Sequence, residues 1–356
     1  MSDSKITFSA AVSEQNSFDF LRLLFAFAVF ISHFGILTGA NIIFPISSPQ
    51  GVAGFFIISG FLITQSYYRS SGLLDYMKKR VRRIVPAYVL VVVACAVFLS
   101  LVSSLSFSEY FGSKTFFKYV AANLSFLNFI QPDLPGVFTA NSYPYINGAL
   151  WTIKVELALY AFIPLLTLFL NRKPFFVLTG VYVASFIFVY GMNYLYNSSG
   201  KEFYSILSRQ FVGQARYFIS GIILLFYFDF FRKNIKYFLP LAAIIFIARY
   251  SFISKYYIDF QAANIFINIL YPFSFAVLII YFAYYFKKLA CFSIYGDFSY
   301  GMYLFHYPVI QTMIYLGWFK ENPALLFTVC FVIVLSLSCL SWHLLEKHFL
   351  RHKRRI

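Results

Sequence analysis

Apolar residues fall along this chain in blocks long enough to cross a bilayer, broken by short polar clusters. A spanning helix needs about 20 apolar residues. On that measure the pattern predicts ten spans, at 18–38, 52–68, 84–105, 150–170, 174–195, 211–231, 236–252, 263–286, 298–317 and 323–345. Basic clusters follow the even-numbered spans: KKRVRR, NRK, FRKNIK, the pair Lys287 and Lys288, and KHFLRHKRR. With ten spans all five lie on one side, which the positive-inside rule makes the cytoplasm. Both termini are then cytoplasmic. The segment 116–136 is also fairly apolar, but a crossing there would put the later clusters on the other side. With Pro132, Pro135 and Gly136 in it, it is expected not to span, lying interfacial or re-entrant at the outer face. The predicted fold class is an all-α polytopic membrane protein, a single bundle of about ten transmembrane helices. A cytoplasmic segment at 1–17 precedes the transmembrane domain at 18–346, and a basic cytoplasmic tail occupies 347–356.

Composition agrees. Of 356 residues, 60% are hydrophobic and 12% charged, where a soluble chain has about half apolar and a quarter charged. The net charge of +16 is accounted for by the cytoplasmic flanks, so no nucleic-acid partner is expected. Four cysteines, Cys95, Cys291, Cys330 and Cys339, make no CxxC or Cys/His cluster, and no metal site is expected. The N-terminus lacks the charged start and short apolar region of a cleaved signal peptide, so the first span is expected to remain in the membrane.

Ionisable residues inside such helices need a reason to be there. The first span carries Asp19, Arg22 and His33. Eleven residues are three turns plus 20°, so Arg22 and His33 share a face, about 16 Å apart along the axis. Arg22 then sits near the cytoplasmic end and His33 in the outer third. Asp19 is three positions before Arg22 and can pair with it. Two readings stand: Arg22 snorkelling to headgroups with His33 a satisfied bundle histidine, or a functional face. Glu156, in the fourth span behind Trp151, is expected about 8–9 Å from the outer surface, at the depth of His33. A carboxylate near an imidazole orients it for proton transfer. The competing reading pairs Glu156 with Arg216; Lys154, two positions away, points elsewhere.

Arg80 and Arg83, at i and i+3, make a phosphate clamp at a membrane entrance or a plain topology signal. Tyr300, Tyr303 and His306 line one side of the ninth span, with His306 near mid-membrane, and read equally as aromatic packing. Ser59 lies among Gly51, Gly54 and Gly60, where small residues let helices approach closely.

Together these motifs resemble the acyltransferase-3 family of membrane-bound O-acyltransferases. The family's first-span Arg and His, preceded by Asp, match Arg22, His33 and Asp19. Its FF-x-x-SGF motif matches Phe55, Phe56, Ser59, Gly60 and Phe61. Its RxxR pair matches Arg80 and Arg83, and its LW-x-x-x-x-E motif matches Leu150, Trp151 and Glu156. Its SY-x-x-Y-x-x-H motif matches Ser299, Tyr300, Tyr303 and His306. The Gly common after the first-span Arg is Leu23 here. The resemblance covers about residues 18 to 349 and is similar to the stand-alone type without a fused soluble domain.

It implies transfer of an acyl group, commonly acetyl, from cytoplasmic acyl-CoA to a hydroxyl of a cell-surface or lipid-linked glycan. Acyl-CoA, acetyl-CoA in the simplest case, is then a co-substrate, and no cofactor is permanently bound. The expected location is the bacterial inner membrane, in contact with membrane lipids. His33 is expected as general base, helped by Glu156, with Arg22 in the catalytic set. Arg80, Arg83, Tyr300, Tyr303 and His306 are expected on the acyl-CoA path, and Asp19, Trp151 and Ser59 in support. No Ser or Cys stands out as a nucleophile, which favours direct transfer. The alternatives are a transporter or flippase of a lipid-linked glycan, since intramembrane charge on one face also suits a polar pathway, and a glycan polymerase, which would need larger outer loops.

Overall fold

The computed structural model describes residues 8–252 and 262–350. Among these residues there are helices and no strand. The helices are α1 (Phe18–Thr38), α2 (Ser48–Tyr68), α3 (Leu73–Phe98), α4 (Phe107–Gly112), α5 (Lys114–Leu124), α6 (Trp151–Leu170), α7 (Pro174–Ser199) and α8 (Glu202–Ser208). They continue with α9 (Phe211–Phe226), α10 (Phe228–Lys233), α11 (Ile235–Phe252), α12 (Ala262–Tyr285), α13 (Phe292–Tyr295), α14 (Ser299–Tyr315), α15 (Pro323–Ser341) and α16 (Lys347–Leu350). A π-turn at Trp342–Glu346 joins the last two.

Among the described residues, seven helical stretches are long and apolar enough to cross a membrane: Phe18–Thr38, Ser48–Tyr68, Leu73–Val102, Trp151–Leu170, Pro174–Ser199, Ile265–Tyr285 and Pro323–Leu350. The other three expected spans are helical but shorter or more polar. α9 has 16 residues, α11 has 18 with Pro240 inside it, and α14 has 17. The segment expected not to span forms α5, only 11 residues long, about 16 Å of helix. It ends in a turn where Asn123 donates to the Gln131 carbonyl at 3.0 Å.

The chain divides into two compact units. The first comprises Met1–Leu21, Val52–Tyr76 and Val155–Cys291. In it α2 and α9 cross at two glycines: a Cβ on Gly60 would collide with the Phe218 carbonyl oxygen, and one on Gly221 with that of Ile57. Small residues at a crossing let backbones meet and gain packing that lipid cannot supply, as expected for the small residues of the second span. Phe61, next to Gly60, is fully buried among the rings of Phe18, Phe228 and Tyr284.

The N-terminal segment is tied down within this unit. The Ser17 amide donates to the Ala283 carbonyl at 2.8 Å, and Tyr284 donates to the Val12 carbonyl at 2.8 Å. Glu14 pairs with Arg232 at 2.7 Å and Lys287 at 2.6 Å. Hydrogen bonds from these two cations, Lys287 foremost, lower the Glu14 pKa to about 2.

The second unit comprises Arg22–Gly51, Met77–Lys154 and Phe292–Ile356. Here α14 lies against α15, with Gly301 so close to Ser338 that a Cβ would sit 2.8 Å from the Ser338 Cα. On α1, Phe27 and Phe30 pack on Phe327 and Phe331 of α15. Gly51 faces the Phe25 carbonyl, 2.9 Å from where a Cβ would lie. The loop before α6 is fastened to α14, since Asn147 donates to the Leu304 carbonyl at 2.8 Å.

Candidate active site

Two contacts join α1 to the segment running into α14. At one end, Arg22 reaches the Asp297 carboxylate at 3.8 Å. At the other, His33 Nδ1 lies 2.7 Å from His306 Nε2. Arg22 precedes His33, and Asp297 precedes His306, so α1 and α14 run in the same direction. The expected difference in depth between the histidines is not kept. α14 begins beside the Arg22 end of the pair, which brings its eighth residue level with His33.

Asp297 was not among the residues singled out from the sequence, yet it gathers the arginines of two motifs. Its carboxylate takes the Arg83 guanidinium as well as Arg22. It also accepts from the Ser299 amide at 3.2 Å and from the Ser299 hydroxyl, closing the entry to α14 as N-terminal caps do. Burial pushes its carboxyl pKa up, but the Arg83 and Arg22 charges outweigh that and hold it below the usual carboxylate value. The signal was local: an Asp two residues before a helix start, in GDFSY. Gly296, just before it, has φ of +123° and lies against the Trp342 indole, where a Cβ would collide.

Arg83 also reaches Glu346 at 3.9 Å and lies over the Tyr300 ring, 5.8 Å from its centroid. Glu346 is only 2% exposed. The π-turn that carries it adds a residue to the helical turn, re-aiming side chains as such insertions do, and Ser341 donates to its other oxygen at 2.8 Å. Tyr300 donates to the Ile84 carbonyl at 3.0 Å, fixing α14 to α3 beside the RxxR pair. Arg80, one turn before Arg83, is partly buried.

Tyr303 faces the start of α6, donating to the Ala149 carbonyl at 3.1 Å, with the Thr152 hydroxyl 2.7 Å away. Trp151 is the first residue of α6 and is partly buried. The imidazole pair is walled by Phe30, Tyr303 and Tyr307. Tyr307 is in turn confined by Gly148, where a Cβ would lie 2.7 Å from the phenol ring.

The other expected residues, Asp19, Ser59 and Glu156, belong to the first unit. There Glu156 accepts from Ser59 at 3.3 Å and from the Tyr160 hydroxyl. Tyr160 is held by its own backbone as well, its carbonyl accepting from Tyr76 at 2.9 Å. Among the described residues no ion pair joins Glu156 to Arg216, whose guanidinium lies over Tyr217 at 4.8 Å. Lys154 points elsewhere, over the Phe129 ring at 4.2 Å. No group of three or more potential metal ligands occurs among the described residues.

The candidate site thus gathers paired imidazoles, arginines and carboxylates on apolar helices of membrane-spanning length and composition. The chain belongs to the acyltransferase-3 family, whose model, described as an acyltransferase domain, matches residues 15–343. It is 27% identical over 351 residues to a protein of Shigella phage Sf6 named O-acetyl transferase, across 95% of this chain and 96% of that one. It is 34% identical over 163 residues to Nodulation protein 10 of Rhizobium leguminosarum bv. viciae, across 43% of this chain and 44% of that protein. No solved structure matches. The chain is a multi-pass membrane O-acyltransferase, and the carrier and polymerase readings give way to an enzyme that transfers acyl groups other than aminoacyl groups.

Proposed function

We propose that this enzyme moves an acetyl group from cytoplasmic acetyl-CoA to a hydroxyl of a cell-surface or lipid-linked glycan in the bacterial inner membrane. The choice of acetyl as the transferred group follows the printed name of the phage relative, and acetyl-CoA is the donor the sequence resemblance implies. The topology proposed is ten spans with both termini cytoplasmic. Its support is the placement of the basic clusters, together with the shared direction of α1 and α14, which suits spans one and nine.

The observation that carries the reading is the α1–α14 pair itself. One face of α1 presents Arg22 among arginines and carboxylates at one end, and His33 at the other. Arg22, Arg80 and Arg83 hold the donor phosphates at the cytoplasmic end, where guanidinium forks suit phosphate oxygens. The thioester extends outward along the α1 face. His33 takes the proton of the acceptor hydroxyl as its oxygen attacks the thioester carbonyl, and the CoA sulfur leaves. General-base help of this kind contributes about 10²–10⁴-fold. Glu156 is assigned to the proton transfer by its motif.

The test is acetylation of surface glycan by variants at matched membrane expression. His33→Ala and His33→Gln are expected to lose transfer while the protein still binds acetyl-CoA, because the amide keeps hydrogen bonds but has no basicity. Near-normal glycan acetylation by His33→Gln would remove His33 as the base.

A further inference from the structure

The two ring nitrogens of His306 meet different partners. Nδ1 lies 3.1 Å from the Met302 carbonyl oxygen, one turn earlier on α14. Nε2 lies 2.7 Å from His33 Nδ1. A carbonyl oxygen only accepts, so the bond at Nδ1 requires the proton to be on Nδ1. In a neutral imidazole the other nitrogen then carries the lone pair. His306 Nε2 is therefore an acceptor, and His33 Nδ1 must hold the proton that it donates. That leaves the His33 lone pair on Nε2.

The ring geometry agrees. The imidazole planes are within 4° of each other and the centroids are 5.0 Å apart. With a nitrogen–nitrogen approach of 2.7 Å, that separation is the hydrogen bond plus one ring radius from each side. The rings lie edge to edge in one plane, where the lone pair points at the proton, and not face to face. The rings of Phe30, Tyr303 and Tyr307 pack around His306. His306 is fully buried, whereas His33 keeps part of its surface accessible. Among the described residues, Nε2 of His33 has no protein hydrogen bond.

We infer that His306 is a positioning residue that locks His33 in the tautomer with the proton on Nδ1, so that Nε2 is the basic nitrogen. The inference rests on His33 acting as the general base. The acceptor O–H proton passes to His33 Nε2 as the oxygen–carbon bond forms. The carbon–sulfur bond breaks, and the CoA thiolate leaves with the proton that Nε2 returns. While His33 is an imidazolium, its Nδ1–H still points at the His306 lone pair, which stabilises the charge. The orienting chain ends on a neutral carbonyl, so it fixes the tautomer without adding a fixed negative charge.

The experiment has two arms. In ¹⁵N-histidine-labelled wild-type protein, the His33 signals, assigned by their loss in His33→Gln, are expected to show a protonated Nδ1 and an unprotonated Nε2. A His33 carrying its proton on Nε2 overturns the proposal, and this arm needs no His306 variant to fold. In membrane vesicles supplied with radiolabelled acetyl-CoA, His306→Leu is expected to lower kcat for glycan acetylation about 100-fold. The KM for acetyl-CoA should change less than about 2-fold, and His306→Gln, whose carbonyl can accept from Nδ1–H, should recover part of the loss. A normal kcat in His306→Leu, or a raised KM with kcat unchanged, overturns the proposal. An inactive His33→Gln beside a normal His306→Leu rejects the positioning role alone, whereas an active His33→Gln rejects the base itself.

Discussion

Arg83 and Asp297, 214 positions apart, form an ion pair at the foot of α14, and the same carboxylate reaches Arg22. The RxxR motif is thereby linked to the first-span arginine through a residue that belongs to neither. Removing one partner of a partly buried ionic cluster leaves the other charges uncompensated. Asp297→Asn is expected to lower stability by about 1.5–3 kcal/mol. A double-mutant cycle with Arg83→Ala, read by thermal unfolding in detergent, should show clear coupling. Additive losses would mean the two residues act separately.

The two RxxR arginines should separate in their effects. Arg83 holds Asp297 and Glu346, so Arg83→Ala is expected both to destabilise and to raise the KM for acetyl-CoA. Arg83→Lys should recover only part, because an ammonium cannot reproduce a fork that spans two carboxylates. Arg80→Ala is expected chiefly to raise KM, through phosphate contacts worth about 1.5–3 kcal/mol each. Acetyl-CoA binding at wild-type strength in both alanine variants would leave the arginines a structural and topological role.

Ser59 donates to Glu156 and is not expected to become acylated. Ser59→Ala should cost about 1 kcal/mol of stability and keep most activity, while Glu156→Gln should reduce glycan acetylation at least about 10-fold if the carboxylate serves proton transfer. Mass spectrometry of the intact protein after acetyl-CoA alone should find no acetyl adduct on Ser59. Such an adduct would replace direct transfer by a covalent route.

The α2–α9 crossing leaves no room for a side chain on either glycine. Gly60→Leu and Gly221→Leu are each expected to prevent stable folding, since the colliding atoms are backbone and cannot swing aside. Even alanine should cost about 1–3 kcal/mol, as overpacking does. Monodisperse Gly221→Leu with normal thermal stability would show that the helices can separate there.

The pairing of Glu14 with Arg232 and Lys287 should be felt as a pH dependence. Its pKa is lowered from the usual 4.5 to about 2, so its stabilisation is fully present above 4.5 and is lost as pH falls towards 2. The Tm difference between wild type and Glu14→Gln is expected to be positive near neutrality and to shrink over that window. A difference that stays constant down to pH 2 would mean Glu14 is not held as an ion-paired carboxylate.

Much of this protein is written locally. Blocks of about twenty apolar residues, with no water to satisfy a broken backbone, can only be helices, so α1, α2, α6, α7, α12 and α15 lie close to where the pattern places them. The helical period alone puts Arg22 and His33 on one face of α1. α9, α11 and α14 are the shortest helices among the expected spans, at 16, 18 and 17 residues. α14 is buried over most of its length, so its polar and aromatic residues are satisfied by other helices and it needs no lipid-facing apolar surface.

Only the tertiary structure decides which neighbour each face meets. Periodicity places His306 on a side of its helix, but the helix that lies there, and the register between them, depend on packing across 273 positions. The same holds for Asp297 between Arg22 and Arg83, and for Glu346, which a π-turn aims at Arg83 against the period of the preceding helix. A charge inside a membrane signals that a partner exists, because its desolvation must be compensated. Which partner that is depends on non-local helix contacts, which no local pattern encodes.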